Sequence, residues 1–146
     1  MKTVFDTAVR EELIRRITSI NENSKPQWGQ MTVGQMLKHC SMWDEMAQEK
    51  TLFKQSLLGK LVGKFALKDM MKDEPVKKNL PTVPAFKMTA HYDIDGEKQH
   101  WIKLLNEYPA MSNEGFLHPF FGHLTKEQTG RLVYKHADHH LRQFNA

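Results

Sequence analysis

The chain has very little of the sulfur that cross-links and metal–thiolate sites require. It contains a single cysteine, Cys40. An intramolecular disulfide, a thiolate-rich zinc site and an iron–sulfur cluster each need at least two cysteine sulfurs, so all three are excluded. Any metal that the chain binds is therefore held by nitrogen and oxygen ligands.

Long uncharged apolar runs are also absent. Charged side chains interrupt the first 20 residues, which predicts that they are not a signal peptide, and no later stretch reaches the roughly 18 apolar residues of a membrane-spanning helix. We therefore expect a cytoplasmic protein without a membrane span. A length of 146 residues, of which 40% are hydrophobic, predicts one folded domain over residues 1–146.

Charge of one sign does not dominate the composition. Lysine and arginine number 21 against 17 aspartate and glutamate residues, which gives a net charge of +4. This excess permits acidic partners but is too small to indicate nucleic acid by itself. We therefore expect no nucleic-acid partner.

Helical periodicity is the main pattern that is present. Apolar residues recur at spacings of three and four in five segments, and no long stretch alternates with period two, although 82–92 admits a short extended segment. The predicted fold class is all-α, a helical bundle. The predicted segments are 6–21, a second that opens at Thr32, 52–71, a fourth from about 95 to 108, and a fifth from 125 to the C-terminus, with long connections at 72–86 and 109–124.

Capping signals predict where three of these helices begin. Asp6 is a candidate cap of the first helix. Thr32 is followed three residues later by Gln35, and Thr125 by Gln128, which is the spacing of a capping box.

The segment 52–71 predicts a basic amphipathic helix whose apolar side packs on the core. Gly59 and Gly63 each weaken it, which indicates either a close helix contact or reduced order. An alternative function rests on this helix, namely a non-enzymatic module that binds a membrane surface or nucleic acid. The apolar side comprises Phe53, Leu57, Leu58, Leu61, Val62, Phe65 and Ala66, and the basic side comprises Lys54, Lys60, Lys64 and Lys68.

The chain contains eight histidines, and two of them share one face of the last helix. His136 and His140 are four residues apart, so they project from the same face one turn above the other. That face also carries Leu132, Val133 and Phe144, which predicts that it is buried. A buried imidazole needs a polar partner, and a transition metal is one, because neutral imidazole nitrogen is a good ligand.

His39 is the natural third ligand, because it lies at the margin of the inward face of the second helix. Three histidines leave at least one coordination position open to water or substrate, which is typical of a catalytic site. The predicted metal ligands are therefore His39, His136 and His140.

Structural roles remain the alternative for each histidine. His39 alone also suits a core residue bound to a carbonyl, and histidines near a helix C-terminus are stabilised by its negative end. His139 is expected in a supporting or surface position. His118 and His123 lie in the apolar connection before the last helix, where a structural role or the wall of a pocket is expected. The candidates to orient the ligand rings are Asp138, Gln143 and Gln35.

Two stretches of the sequence resemble a known superfamily. WGQMTVGQMLKHC leads up to and includes His39, and HADHHLRQF follows HPFFGHLT near the end of the chain. Together they resemble the DinB/YfiT-like superfamily of four-helix-bundle metalloenzymes, over nearly the whole chain. The resemblance implies a four-helix bundle with one additional helix and long loops, a metal triad at His39, His136 and His140, and a homodimer.

The resemblance also implies a reaction. Characterised members include thiol-dependent transferases and isomerases that use bacillithiol or mycothiol with a divalent metal. The expected protein is a metal-dependent enzyme, a thiol-dependent transferase or a hydrolase, that acts on a small electrophile. Its expected cofactors are a divalent ion, foremost zinc or nickel, and a low-molecular-weight thiol. Many relatives carry HHxGQ where this chain has Arg142 in place of the glycine.

Overall fold

The structure is a computed structural model that describes residues 1–111 and 115–146. It is 56% helical, which confirms the prediction of a mostly helical protein. A hairpin of two short strands, β1 (Gly115–His118) and β2 (Gly122–Thr125), precedes the last helix. The α-helices within the described residues are α1 (Thr7–Ser19), α2 (Val33–Ala47), α3 (Leu57–Met70), α4 (Ile94–Glu107) and α5 (Lys126–Gln143).

The predicted capping boxes of α2 and α5 are confirmed. Thr32 Oγ1 accepts from the Gln35 backbone N–H at 3.3 Å, and Gln35 Oε1 accepts from the Thr32 backbone N–H at 3.0 Å. The corresponding distances for Thr125 and Gln128 are 3.2 and 2.9 Å. Asp6 lies at the predicted cap position of α1, but its side chain makes no capping hydrogen bond. The two boxes fix the start of both helices that carry the predicted metal ligands.

Four of the helices pack on one another. α2 contacts α4 and α5, and α1 contacts the same two helices. Burying large apolar side chains stabilises such packing by roughly 1.5–3 kcal/mol each. This packing sets the separation of α2 and α5, and therefore the distance between the histidines that they carry. Fully buried side chains come from all four helices and include Leu13, Ile17, Met36, Leu37, Trp101, Leu105, Leu132 and Leu141.

The hairpin is a departure from the predicted all-α class, and all of it except its last residue lies in the connection predicted at 109–124. The strands are antiparallel, with Phe116 opposite Leu124 and His118 opposite Gly122. Each strand has four residues, which is too short for a period-two pattern to stand out. Gly122 has a φ of +84°, a conformation that favours glycine and lets the chain reverse.

The remaining connections differ less from expectation. The segment 82–92, where the sequence admits a short extended stretch, contains the 3₁₀ turn Pro84–Phe86. A second 3₁₀ turn, Tyr108–Ala110, follows α4 directly. Residues 112–114, which belong to the predicted connection 109–124, lie outside the described residues.

α3 departs most from its prediction. It begins at Leu57, not at Leu52, and Ser56 Oγ caps it by accepting from the Gly59 backbone N–H at 3.0 Å. The prediction that its leucines face the core is wrong, because Leu57 is 81% exposed and the buried residues of the helix are Gly59, Gly63 and Leu67. Within the described residues, no helix combines the length and the apolar composition needed to cross a membrane.

Candidate metal centre

His39 is held on α2 with its ring fixed by a backbone carbonyl. Only 5% of the residue is exposed. Its Nδ1 lies 2.9 Å from the backbone oxygen of Phe86, in the 3₁₀ turn Pro84–Phe86. A carbonyl oxygen only accepts, so the imidazole proton lies on Nδ1 and Nε2 keeps its lone pair.

His140 is fixed in the same way by an amide side chain on its own helix. Its Nδ1 lies 2.9 Å from Gln143 Oε1, and Gln143 Nε2 donates to the backbone oxygen of Trp28 at 2.7 Å. The Trp28 carbonyl fixes which end of the amide faces the ring, because a carbonyl can bond only to the NH₂ group. His140 therefore donates from Nδ1, and its Nε2 keeps a lone pair.

His136 completes a cluster of three rings, which we name the histidine cluster: His39, His136 and His140. Its Nε2 lies 3.0 Å from His39 Nε2, and its ring stacks on Trp43 with centroids 5.0 Å apart and planes 20° apart. One ligand nitrogen from each of the three histidines lies within 4.8 Å of the other two. The structure therefore brings together all three residues that the sequence singles out.

Burial keeps these rings neutral at physiological pH. Desolvation lowers the pKa of His39, and it lowers the pKa of His140 to about 3. Desolvation also places the pKa of His136 well below its usual range, and the neighbouring His140 and His39 lower it further. Metal binding needs the unprotonated ring, so the cluster is in the state that a cation requires.

The donor set can hold a divalent metal ion, and one pair of its nitrogens already has the spacing of two ligands on one ion. Two nitrogens bound to one ion, with bonds of about 2.0–2.1 Å, lie about 3–3.5 Å apart. The 3.0 Å between the Nε2 atoms of His39 and His136 falls in this range. Three imidazoles suit zinc, nickel, copper or iron, and they leave a coordination position open.

The residues expected to orient the rings are only partly those found. Gln143 does so, as predicted. The prediction for Asp138 is wrong, because its carboxylate pairs with Arg16 at 2.9 Å and with Arg142 at 2.8 Å. The prediction for Gln35 is also wrong, because its side chain caps α2 and donates to the backbone oxygen of Ala90 at 3.2 Å. The Phe86 carbonyl orients His39, and no side-chain pattern in the sequence indicates it.

His118 lies near the cluster, and the hairpin holds it in one tautomer. Its Nδ1 accepts from the backbone N–H groups of Phe120 and Phe121, both at 3.1 Å. The ring proton is therefore on Nε2. The ring is buried, its centroid is 5.9 Å from that of Trp43, and desolvation lowers its pKa to about 4. These hydrogen bonds give His118 a structural role in the turn, and its ring packs against Trp43, which stacks on His136.

The other histidines lie outside the cluster. His139 packs between Trp28 and His140, with centroids 5.4 and 5.1 Å away, and its buried Nδ1 has no hydrogen-bond partner among the described residues. His123 is exposed on β2. His100 pairs with Glu45 at 2.7 Å. These positions leave the cluster at three residues.

Cys40 does not supply a reactive thiol. Its side chain is fully buried and faces Met36 Sδ at 3.8 Å. Burial, with the nearby Asp44 carboxylate, raises the pKa of the thiol well above its usual value. A thiol that reacts at this site must therefore come from outside the chain.

The fold and the cluster together define a mostly helical protein with three histidines that can hold a metal ion. The model of the family described as "Protein of unknown function (DUF1569)" matches residues 5–146, so the chain belongs to this family. The matched range includes the whole histidine cluster. No curated protein and no solved structure matches the chain.

Proposed function

We propose that this protein is a metal-dependent enzyme of the DinB/YfiT-like superfamily in which the histidine cluster binds one divalent ion. The observation that carries the proposal is the convergence of three neutral imidazoles from two helices, two of them held through Nδ1 so that Nε2 stays free. The mutual packing of α1, α2, α4 and α5, with α3 outside it, supports a four-helix bundle with one additional helix.

The proposed reaction is attack by a low-molecular-weight thiol or by water on a small electrophile. A divalent ion held here, zinc or nickel by preference, supplies a Lewis acid that lowers the pKa of a thiol or water in the open position. The chain contributes the orientation of the rings through Phe86 and Gln143, and the aromatic wall formed by Trp43 and His118. Because Cys40 is buried, the thiol in the transferase version of this reaction is a separate molecule.

The enzymatic part of the proposal is tested with protein loaded with zinc or nickel. One assay supplies a low-molecular-weight thiol with an electrophilic aryl halide, and a second supplies an activated ester in water. We expect a rate above that of the free ion in at least one assay, lost in His136→Ala and kept in His123→Ala, whose histidine is exposed. A protein that binds one ion per chain and accelerates neither reaction is not such an enzyme.

Gln143→Ala should weaken metal binding by about 10–100-fold, because the partner that orients His140 is lost. The three ligands themselves stay in place, so the loss should appear in affinity and not in the number of ions bound at saturation. The measurement is a competition titration with a chelating dye. Gln35→Ala is the matched control, since Gln35 lies on the same helix as His39 and bonds elsewhere. Equal affinities for the two variants would contradict the assigned role of Gln143.

A further inference from the structure

α3 presents an unpartnered apolar face to solvent. Leu57, Leu61 and Phe65 are 81%, 77% and 78% exposed, and Leu58 is 64% exposed. We name this surface the α3 apolar face. Contiguous apolar side chains that are exposed to solvent usually mark a site that binds a protein, a membrane or a ligand.

The close packing of the opposite side of α3 explains why the leucines point outward. A Cβ atom on Gly59 would lie 2.5 Å from the backbone oxygen of Phe120, and one on Gly63 would lie 2.1 Å from it. The Ser56 backbone N–H also donates to the Pro119 oxygen at 2.8 Å. Only a side without Cβ atoms fits against the hairpin turn this closely, so the apolar residues of α3 are left on the outside.

Positive charge accompanies the α3 apolar face. The acidic residue of α3 is Asp69, whereas the helix and its approach carry four exposed lysines. Residues 50–78 contain eight lysines and three acidic residues, an excess of 8 − 3 = +5 against +4 for the whole chain. The four exposed lysines are Lys54, Lys60, Lys64 and Lys68.

We propose that α3 docks the protein on an anionic lipid surface, with the α3 apolar face inserted at the acyl boundary and the lysines at the phosphates. An apolar helix face flanked by lysine is the composition that binds such surfaces. A second copy of the chain is a poorer partner, because packing two α3 helices together brings their lysines together. Nucleic acid would use the lysines but not the leucines.

The test is sedimentation with vesicles of phosphatidylcholine containing 30% phosphatidylserine, and with vesicles of phosphatidylcholine alone. We expect binding to the anionic vesicles, weaker binding at higher salt, and little binding to the neutral ones. Lys60→Gln with Lys64→Gln should weaken binding about 25-fold, at about fivefold per lysine. Leu61→Gln with Phe65→Gln should weaken it by more than about tenfold.

Lys25→Gln with Lys103→Gln is the matched control, because it removes the same charge from exposed positions away from α3 and should leave vesicle binding unchanged. Circular dichroism of each variant checks the fold. Failure to bind anionic vesicles overturns the proposal. A self-association that Leu61→Gln with Phe65→Gln abolishes, without vesicle binding, assigns the face to a second copy and overturns it as well. Binding to duplex DNA that only the lysine variants lose would also overturn the proposal.

Discussion

His39→Ala and His140→Ala should each lower the metal content of the purified protein from about one ion per chain to a small fraction of it. Each substitution leaves two imidazoles. The ring that is lost is one that the protein orients through a hydrogen bond at Nδ1, so that its Nε2 is free to bind the ion. The helical signal in circular dichroism should stay nearly unchanged, because the core of α2 and α5 consists of other side chains. Elemental analysis of protein as purified measures the content.

His91→Ala and His123→Ala are the controls, since both histidines are exposed and outside the cluster. A second readout is the thermal midpoint. An ion at 100 times its dissociation constant stabilises the native state by about 2.7 kcal/mol, so the midpoint of the natural sequence should rise with zinc or nickel, and the cluster variants should not respond. Unchanged metal stoichiometry in both cluster variants would refute the assignment of the site.

The candidate site was predictable in part because helix periodicity is a local property. The spacing of His136 and His140 places two rings on one face without any knowledge of the fold. The choice of His39 depends on a further prediction, namely which helix packs on α5. The apolar pattern of α2 supports that prediction. The carbonyl of Phe86 was not predictable, because its contact with His39 joins residues 47 positions apart through a turn that no side-chain pattern specifies.

α3 shows why a correct helix prediction gave a wrong surface. The apolar residues at spacings of three and four indicate a buried face, and burial of leucine is the usual outcome. The two glycines four residues apart indicate a close contact on another face. The sequence alone does not determine which of the two faces packs against the rest of the protein. The backbone of the hairpin turn decides it, since Gly63 meets Phe120 at a distance that leaves no room for a side chain. The hairpin could not be predicted from the sequence because its strands are short, and its contact with α3 could therefore not be predicted either.

Asp44→Ala should lower the free energy of unfolding by roughly 2–6 kcal/mol, because two buried donors lose their acceptor at about 1–3 kcal/mol each. Asp44 lies on α2 and is 2% exposed. Its Oδ2 accepts from Trp101 Nε1–H at 2.7 Å, and its Oδ1 accepts from the Tyr108 hydroxyl at 2.8 Å. These bonds join α2 to α4 and to the turn after it. No pattern in the sequence indicates this buried carboxylate, since an Asp within a helix is ordinarily exposed.

Unfolding in urea, followed by circular dichroism, measures this effect. Adding Tyr108→Phe to Asp44→Ala should recover part of the loss, because one of the two unpaired donors is then removed. Tyr108→Phe alone should destabilise the natural sequence. If the two losses simply add in the double variant, the carboxylate does not stabilise the fold through the Tyr108 hydroxyl.

The same carboxylate should give stability a dependence on pH that opposes the one from the histidines. Burial raises the pKa of Asp44 to about 7 from 3.8, although Tyr108 and Trp101 act to lower it. Between these values the folded chain binds the extra proton, so this contribution to stability is complete at low pH and is lost as pH rises towards 7.

Desolvation lowers the pKa of His118 to about 4 and that of His140 to about 3 from 6.5, so their contribution is complete above pH 6.5 and is lost as pH falls. Comparing the natural sequence with Asp44→Asn cancels the histidine contribution, which both proteins share. The difference in the free energy of unfolding between them should therefore shrink as pH rises from about 4 to about 7. A difference that stays constant or grows over this range would show that Asp44 is ionised in the folded protein at acidic pH.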